Sequence, residues 1–169
     1  MAPLKAKLTV VVIVVLSCFF LPAYTQEIEI EDNTVLSSDS VAREIVDYSL
    51  QFMGKPYGRG SAGPNRFDCS GFTSFIFKSF GYKLSHGCVN QVTEGMRVAI
   101  DELQTGDLIF FKGRNTKSKK VGHVGIVVTN EGSGNITFIH AAYHGGIRID
   151  DMNSAYYNSR YVTGLRVLM

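Results

Sequence analysis

A thiol acts as a nucleophile when a base stands beside it and donors await the charge it creates. Three residues of this chain have the types and surroundings for that chemistry: Cys69, His123 and His140. Cys69 lies where a polar, glycine-bearing run, Gly58 to Asn65, gives way to an apolar helical pattern. Phe72, Phe75, Ile76 and Phe80 recur at helical spacing and Gly81 stands as a C-terminal stop, which predicts a helix beginning at about Cys69. Unpaired N–H groups and the helix dipole at that end favour negative charge, moving a thiol toward the attacking thiolate. The competing reading is a buried, inert cysteine, since free cysteine is among the most buried residue types.

The chain has four histidines as partners. His123 opens one predicted strand and His140 nearly closes the next, with the turn-rich run Asn130 to Asn135 between them, the pattern of a hairpin. In a symmetric hairpin Gly125 faces His140 and His123 faces Ala142. The two imidazoles then share a face as diagonal neighbours about 7–8 Å apart at the backbone. A slip of one residue would put them on opposite faces. Two histidines on one face suit either a metal site or a Cys–His–His relay. A zinc site needs a third protein ligand, and neither strand offers Asp or Glu, so neither metal nor other cofactor is expected. His86 and His144 sit beside Gly87 and Gly145 and read as surface loop residues.

The elements that must position these groups are legible around them. The 169 residues, 45% of them hydrophobic, suffice for one domain with a core. Lys5 and Lys7, the apolar run Leu8 to Leu21 and the exit Pro22 to Gln26 predict a signal peptide over 1–25, the run being short for a membrane span of roughly 20 residues. Lipid attachment at Cys18 is the alternative, although Phe19, Phe20 and Leu21 continue the apolar run past it. An acidic linker follows over 26–38, then the domain over 39–169. Val41, Ile45, Tyr48 and Phe52 predict a helix from about Ser40 to Met53, and a short third helix is expected over about Val89 to Val98. Strands are expected at Leu108 to Phe111, His123 to Val128, Ile136 to Ala141, Ile147 to Ile149 and Tyr161 to Val167. Helices first and short-looped strands afterwards indicate an α+β domain, N-terminal helices packed on an antiparallel sheet of five to six strands.

Composition removes several function classes. Of 17 basic and 15 acidic residues, Lys5, Lys7, Glu27, Glu29, Glu31 and Asp32 precede Asp39, leaving 15 basic against 11 acidic, near +4. That is too mild for nucleic-acid binding. Tyr57 to Pro64 lacks the Gly-Lys-Ser/Thr ending of a phosphate loop and follows no strand, so nucleotide binding is excluded. Three cysteines, one of them in the predicted signal peptide, make no disulfide framework, though Cys69 and Cys88 could pair in an oxidising compartment.

Five segments in order, Tyr57-Gly58-Arg59-Gly60, Phe67-Asp68-Cys69-Ser70-Gly71-Phe72, Thr105 to Phe111, Gly122-His123-Val124-Gly125-Ile126 and Phe138-Ile139-His140-Ala141, closely resemble the NlpC/P60 family of cell-wall cysteine peptidases, Spr-type murein endopeptidases above all. The resemblance spans about Val41 to Val167. It implies a papain-like fold and a monomeric, exported, periplasmic or envelope-associated enzyme that cleaves peptidoglycan stem peptides at a γ-D-glutamyl–diamino acid or D,D bond. Matched by position, it makes Cys69 the nucleophile, His123 the base and later acid, His140 the residue that orients it, and Tyr57 an oxyanion donor. Asp68 and Ser70 would hold charged groups of the substrate, with Asp68 also fit to cap the helix. A silent wall-binding module and an acyl transferase are the rival functions on this fold. The chain departs from the family at Leu84 to Gln91. Gln91 matches, whereas the usual proline and arginine are missing and Cys88 takes the place of a small serine, which reads as packing.

Overall fold

Apolar side chains spaced three to four apart in the first half, and alternating in the second, fix the layers of the molecule. The computed structural model describes residues 38–115, 117–130 and 135–168. The expected signal peptide, Cys18, linker residues 26–37 and most of the turn between the two histidine strands lie outside the described residues. Helix α1 runs Ser38–Leu50 and buries Ala42, Ile45, Val46 and Ser49, the i, i+3, i+4, i+7 stripe of an amphipathic helix. It ends three residues before the sequence pattern does, and Phe52 packs from the following turn. Helix α2 runs Cys69–Ser79 and buries Phe72, Ile76 and Phe77.

The third helix is the largest departure. Helix α3 covers only Cys88–Gln91, and Met96–Val98 forms strand β1 instead. Gly95 explains the switch: a Cβ there would lie 2.4 Å from the Arg166 carbonyl oxygen, so the chain can approach and pair with the last strand. Tertiary pairing overrides a weak local helical preference. A 3₁₀ turn, Ile100–Glu102, leads to β2 Leu108–Lys112, β3 Val121–Asn130, β4 Ile136–Ala142 and β5 Gly146–Asp151. A four-residue helix α4, Ala155–Asn158, precedes β6 Tyr161–Arg166. The six strands form one antiparallel sheet in the order β1-β6-β2-β3-β4-β5.

Alternation gives the sheet two covered faces. Leu108, Phe110, Val124, Ile126, Ile139, Ala141 and Ile147 join α1 and α2 in the main core. Ile109, Phe111, Val127, Phe138 and Met152 form a second cluster with Tyr157 of α4 and Leu103. Asp107, 3% exposed, is held by a two-pronged Arg166 contact at 3.0 and 2.8 Å, which ties the start of β2 to the end of β6.

Candidate active site

Helix α2 begins at Cys69 because Asp68 caps it. The Asp68 backbone is extended and its Oδ1 accepts from Gly71 N at 2.7 Å, satisfying one of the orphan donors of the first turn. Gly71 is needed beneath: a Cβ there would fall 2.2 Å from the Ser61 carbonyl oxygen, so the Tyr57 loop could not lie against the helix start. That loop is pinned by Gly58 N donating to Phe67 O at 2.9 Å and Asp68 N to Ser61 O at 2.7 Å. Tyr57 thereby shares one cleft of about 680 Å³ with Cys69, His123 and His140. Burial, with the nearby Cys69 and Asp68 charges, raises the Tyr57 phenol above its ordinary value, so it stays a donor.

Strand pairing brings the histidines together in the expected register, although the hairpin is not symmetric: a register shift between Val127 and Thr129 separates this end from the pairs nearest the turn. Ile126 pairs with Ile139 and Val127 with Phe138, the register that sets Gly125 beside His140. A Cβ on Gly125 would lie 2.7 Å from Phe138 Cδ2 and 3.2 Å from His140 Cβ, so glycine makes the room that the imidazole occupies. A register shift between Phe111 and Lys112 falls beside His123, where an irregularity of this kind re-aims a side chain. His123 Nε2 and His140 Nδ1 are 2.7 Å apart with the rings perpendicular. That is hydrogen-bond spacing, closer than the about 3.3 Å between two ligands of tetrahedral zinc with Zn–N of about 2.0–2.1 Å.

Cys69 lies within electrostatic reach of both His123 and the Cys88 thiol. The two thiols titrate as a pair. Their interaction and burial push Cys69 up to about 12, while the same interaction lowers Cys88, and His123 pulls Cys69 down. Both cysteines are free. Cys88 packs against the main core, as expected, and it also acts on Cys69. Its helix α3 is tied to α2 by Gln91, whose buried side chain donates to the Ser70 and Ser85 carbonyls at 2.9 and 2.7 Å and accepts from Thr73 Oγ1 at 2.8 Å.

Beyond His140 lies a group that the sequence reading left out. His140 Nε2 is 2.9 Å from Asp150 Oδ2. The same oxygen accepts from Tyr157 Oη at 2.7 Å and from Arg148 Nε and Nη2 at 3.0 and 2.7 Å. Burial alone would raise the Asp150 carboxyl, yet the bonds from His140, Tyr157 and Arg148 prevail and hold it well below the usual range. Burial lowers His140, 1% exposed, so the ring is neutral near pH 7. Alternation along β5 puts Arg148 and Asp150 on one face, and Arg148 pairs with His140, which is the signal the sequence carried.

Asp68 and Ser70 stand outside the lining of the cleft. Ser70 is 6% exposed and donates to Asp68 Oδ1 at 3.1 Å. Asp68 Oδ2 accepts from Gly60 N at 2.9 Å, and His86 Nε2 lies 3.0 Å from it. His86 is thus a partner of the helix cap rather than an idle loop residue, and His144 lines the cleft.

A cysteine at a helix start, two hydrogen-bonded imidazoles on an antiparallel sheet and a cleft between them define an α+β domain of papain-like architecture. The chain belongs to the NlpC/P60 family, whose sequence model matches residues 54–166. It is 32% identical over 129 residues to the probable endopeptidase p60 of Listeria grayi, covering 76% of this chain and 23% of that one. With murein DD-endopeptidase MepS/murein LD-carboxypeptidase of Escherichia coli it shares 34% identity over 138 residues, 81% of this chain and 68% of that one. A solved NlpC/P60 family protein from Bacillus cereus superposes with a TM-score of 0.68 at 31% identity, over 76% of this chain and 40% of that chain. The chain therefore spans less than half the length of the Listeria and Bacillus proteins. Among the described residues no helix is long and apolar enough to cross a membrane.

Proposed function

We propose that the domain is an exported cysteine endopeptidase that hydrolyses amide bonds in peptidoglycan stem peptides. The observation that carries this reading is that Cys69 and the hydrogen-bonded pair His123–His140 line one cleft. Residues 1–25 serve as the signal peptide and 26–37 as a linker, with a lipid anchor at Cys18 as the alternative form, and the enzyme acts as a monomer at the envelope. The name of the Escherichia coli relative favours a D,D cross-link as the bond over a γ-D-glutamyl–diamino acid link.

The steps follow from the groups at hand. Because Cys69 rests as a thiol, His123 must take its proton as Sγ attacks the carbonyl carbon. His123 has turned Nε2 to His140, so Nδ1 receives that proton. The Cys69 N–H, in the first turn of α2, and the Tyr57 hydroxyl stabilise the oxyanion. On collapse the imidazolium gives its proton to the leaving amine, and an acyl-enzyme remains. A water then loses a proton to His123 and attacks the thioester, and the thiol and a carboxylate are released. Asp68 and Ser70 build the helix start in this scheme. Lys112, Arg114 and Arg160 on the cleft rim suit the carboxylates of a stem peptide. The same cationic rim disfavours a lipid acceptor, which needs an apolar groove.

Digestion of defined muropeptides, followed by mass spectrometry of the products, tests the reading. The unaltered enzyme should yield hydrolysed stem peptides and Cys69→Ala none. Equal cleavage by the two would refute a Cys69 mechanism.

A further inference from the structure

A relay of two imidazoles works in one direction only if its protons are ordered, and neither ring sets that order alone. The pair His123 Nε2 and His140 Nδ1, 2.7 Å apart, holds one proton between them. If it sits on His140, the Nδ1 of a neutral His123 carries hydrogen and faces Cys69 as a donor, unable to accept the thiol proton. If it sits on His123, Nδ1 is bare and is a base. The choice is made one residue further back. We propose that Asp150 is the positioning residue of the relay, fixing His140 as the Nε2–H tautomer and so leaving His123 Nδ1 free to take the Cys69 proton.

The geometry leaves Asp150 little alternative. Its Oδ2 stands 2.9 Å from His140 Nε2, and a carboxylate offers only lone pairs, so that nitrogen must carry the hydrogen. Arg148 Nη2 at 2.7 Å keeps the carboxylate anionic. Tyr157 is nearer to Asp150 Oδ2, at 2.7 Å, than to His140 Nε2, at 3.3 Å, so its hydroxyl hydrogen goes to the carboxylate. With His140 Nε2 donating, Nδ1 of this neutral ring is an acceptor and His123 Nε2 must donate to it. The charged and titratable groups facing the pair are Asp150 and Arg148 from β5, Tyr157 from α4 and Cys69 from α2. Asp150 is the single anion among them when Cys69 is a thiol. Its charge also supports the imidazolium that forms on His123 during attack.

This assignment rests on Cys69 being the nucleophile, and two measurements separate the claims. In the ¹⁵N-labelled protein at pH 7, imidazole long-range couplings should show His140 with hydrogen on Nε2 and bare Nδ1. In Asp150→Ala that signature should give way to mixed tautomers, with kcat on muropeptides down about 10- to 100-fold. KM should stay within about two-fold, and the acid limb of the rate profile should move to lower pH. Asp150→Asn should fall less than Asp150→Ala and keep the tautomer, because Arg148 and Tyr157 both donate to the Oδ2 position and hold a carbonyl oxygen there. An Nδ1–H His140 in the unaltered protein overturns the proposal without any variant. So does an Asp150→Ala that keeps the wild-type tautomer and pH limbs, whether its kcat is unchanged or uniformly lowered. Hydrolysis that survives Cys69→Ala would instead sink the nucleophile assignment, and the couplings would still judge Asp150.

Discussion

Replacing Cys88 should make Cys69 more reactive, although of the three proposed relay residues Cys88 acts on Cys69 alone. The rise of Cys69 from 9.0 to about 12 has the Cys88 interaction as its largest cause and burial as the next. A rise of that size lowers the thiolate population about a thousand-fold at any pH below both values. Removing Cys88 takes away two of the three raising causes, the largest among them, and so restores at least half of this on a logarithmic scale, about thirty-fold. A less basic thiolate is also a weaker nucleophile, with a Brønsted slope of about 0.4–0.5, so the observed rate gain shrinks to about six- or seven-fold. The assay is alkylation by iodoacetamide from pH 5 to 10, with mass spectrometry to confirm that Cys69 carries the label. Cys88→Ala should react about six-fold faster near pH 7.5, and its rate profile should rise at lower pH. Cys88→Ser should gain as much or more, since a hydroxyl donates to the thiolate more strongly than a thiol does. Equal or slower labelling of Cys69 in Cys88→Ala would show that the second thiol does not restrain the first, and the account of the pair would fail.

Three other outcomes follow from named contacts. Gly125→Ala must displace Phe138, whose ring carbon would sit 2.7 Å from the new Cβ, and the Ile139 carbonyl at 3.0 Å; thermal unfolding should show a loss of about 1–3 kcal/mol, with reduced turnover as His140 shifts. Arg166→Ala strands the buried Asp107 carboxylate and should cost about 3–5 kcal/mol in urea unfolding. Because the folded state depresses His140 below its ordinary 6.5, the unfolded chain binds that proton first, so stability is full above about pH 6.5 and falls as pH drops; Asp150, also depressed, adds a further loss below about pH 3.8. A melting temperature flat or rising from pH 7 down to 5 would contradict the His140 part of that account.

What the sequence disclosed and what it withheld differ in the range of the interactions involved. Cys69 was legible because a helix start is local: Asp68, Gly71 and the phenylalanine spacing all lie within a dozen residues. The His123–His140 register was legible because the apolar alternation around Ile126 and Ile139 sets it, whereas the register shift between Val127 and Thr129, nearer the turn, left no mark in the spacing. Strand β1 was misread as helix because its partner, Leu165 to Arg166, lies some seventy residues on in the chain. Cys88 packs as the sequence indicated, and only its action on Cys69 stayed hidden, because its place depends on Gln91 reaching back to Ser70 across 21 positions. His86 is the surface loop residue the sequence indicated, and only its bond to Asp68, which spans 18 positions, stayed hidden. Local chemistry writes itself into spacing, whereas chemistry assembled by a buried polar tie does not.

Asp150 shows a second reason for silence. Charged residues on an edge strand are the ordinary defence against pairing with another sheet, so Arg148 and Asp150 on β5 invite no functional reading. Their exposure nonetheless follows a gradient through the site: His140 1%, Asp150 20%, Arg148 45%. A carboxylate set directly against His123, deep in the cleft, would lose most of its hydration, a cost that falls steeply with access to water. Set at the rim, it stays ionised cheaply and is held by Arg148 and Tyr157. Its influence then travels inward as hydrogen-bond direction, through the two imidazole rings. At the edge of the sheet β5 offers such a carboxylate to His140 while leaving its counter-ion in solvent, and that placement lets a surface-looking charge pair serve the proposed relay.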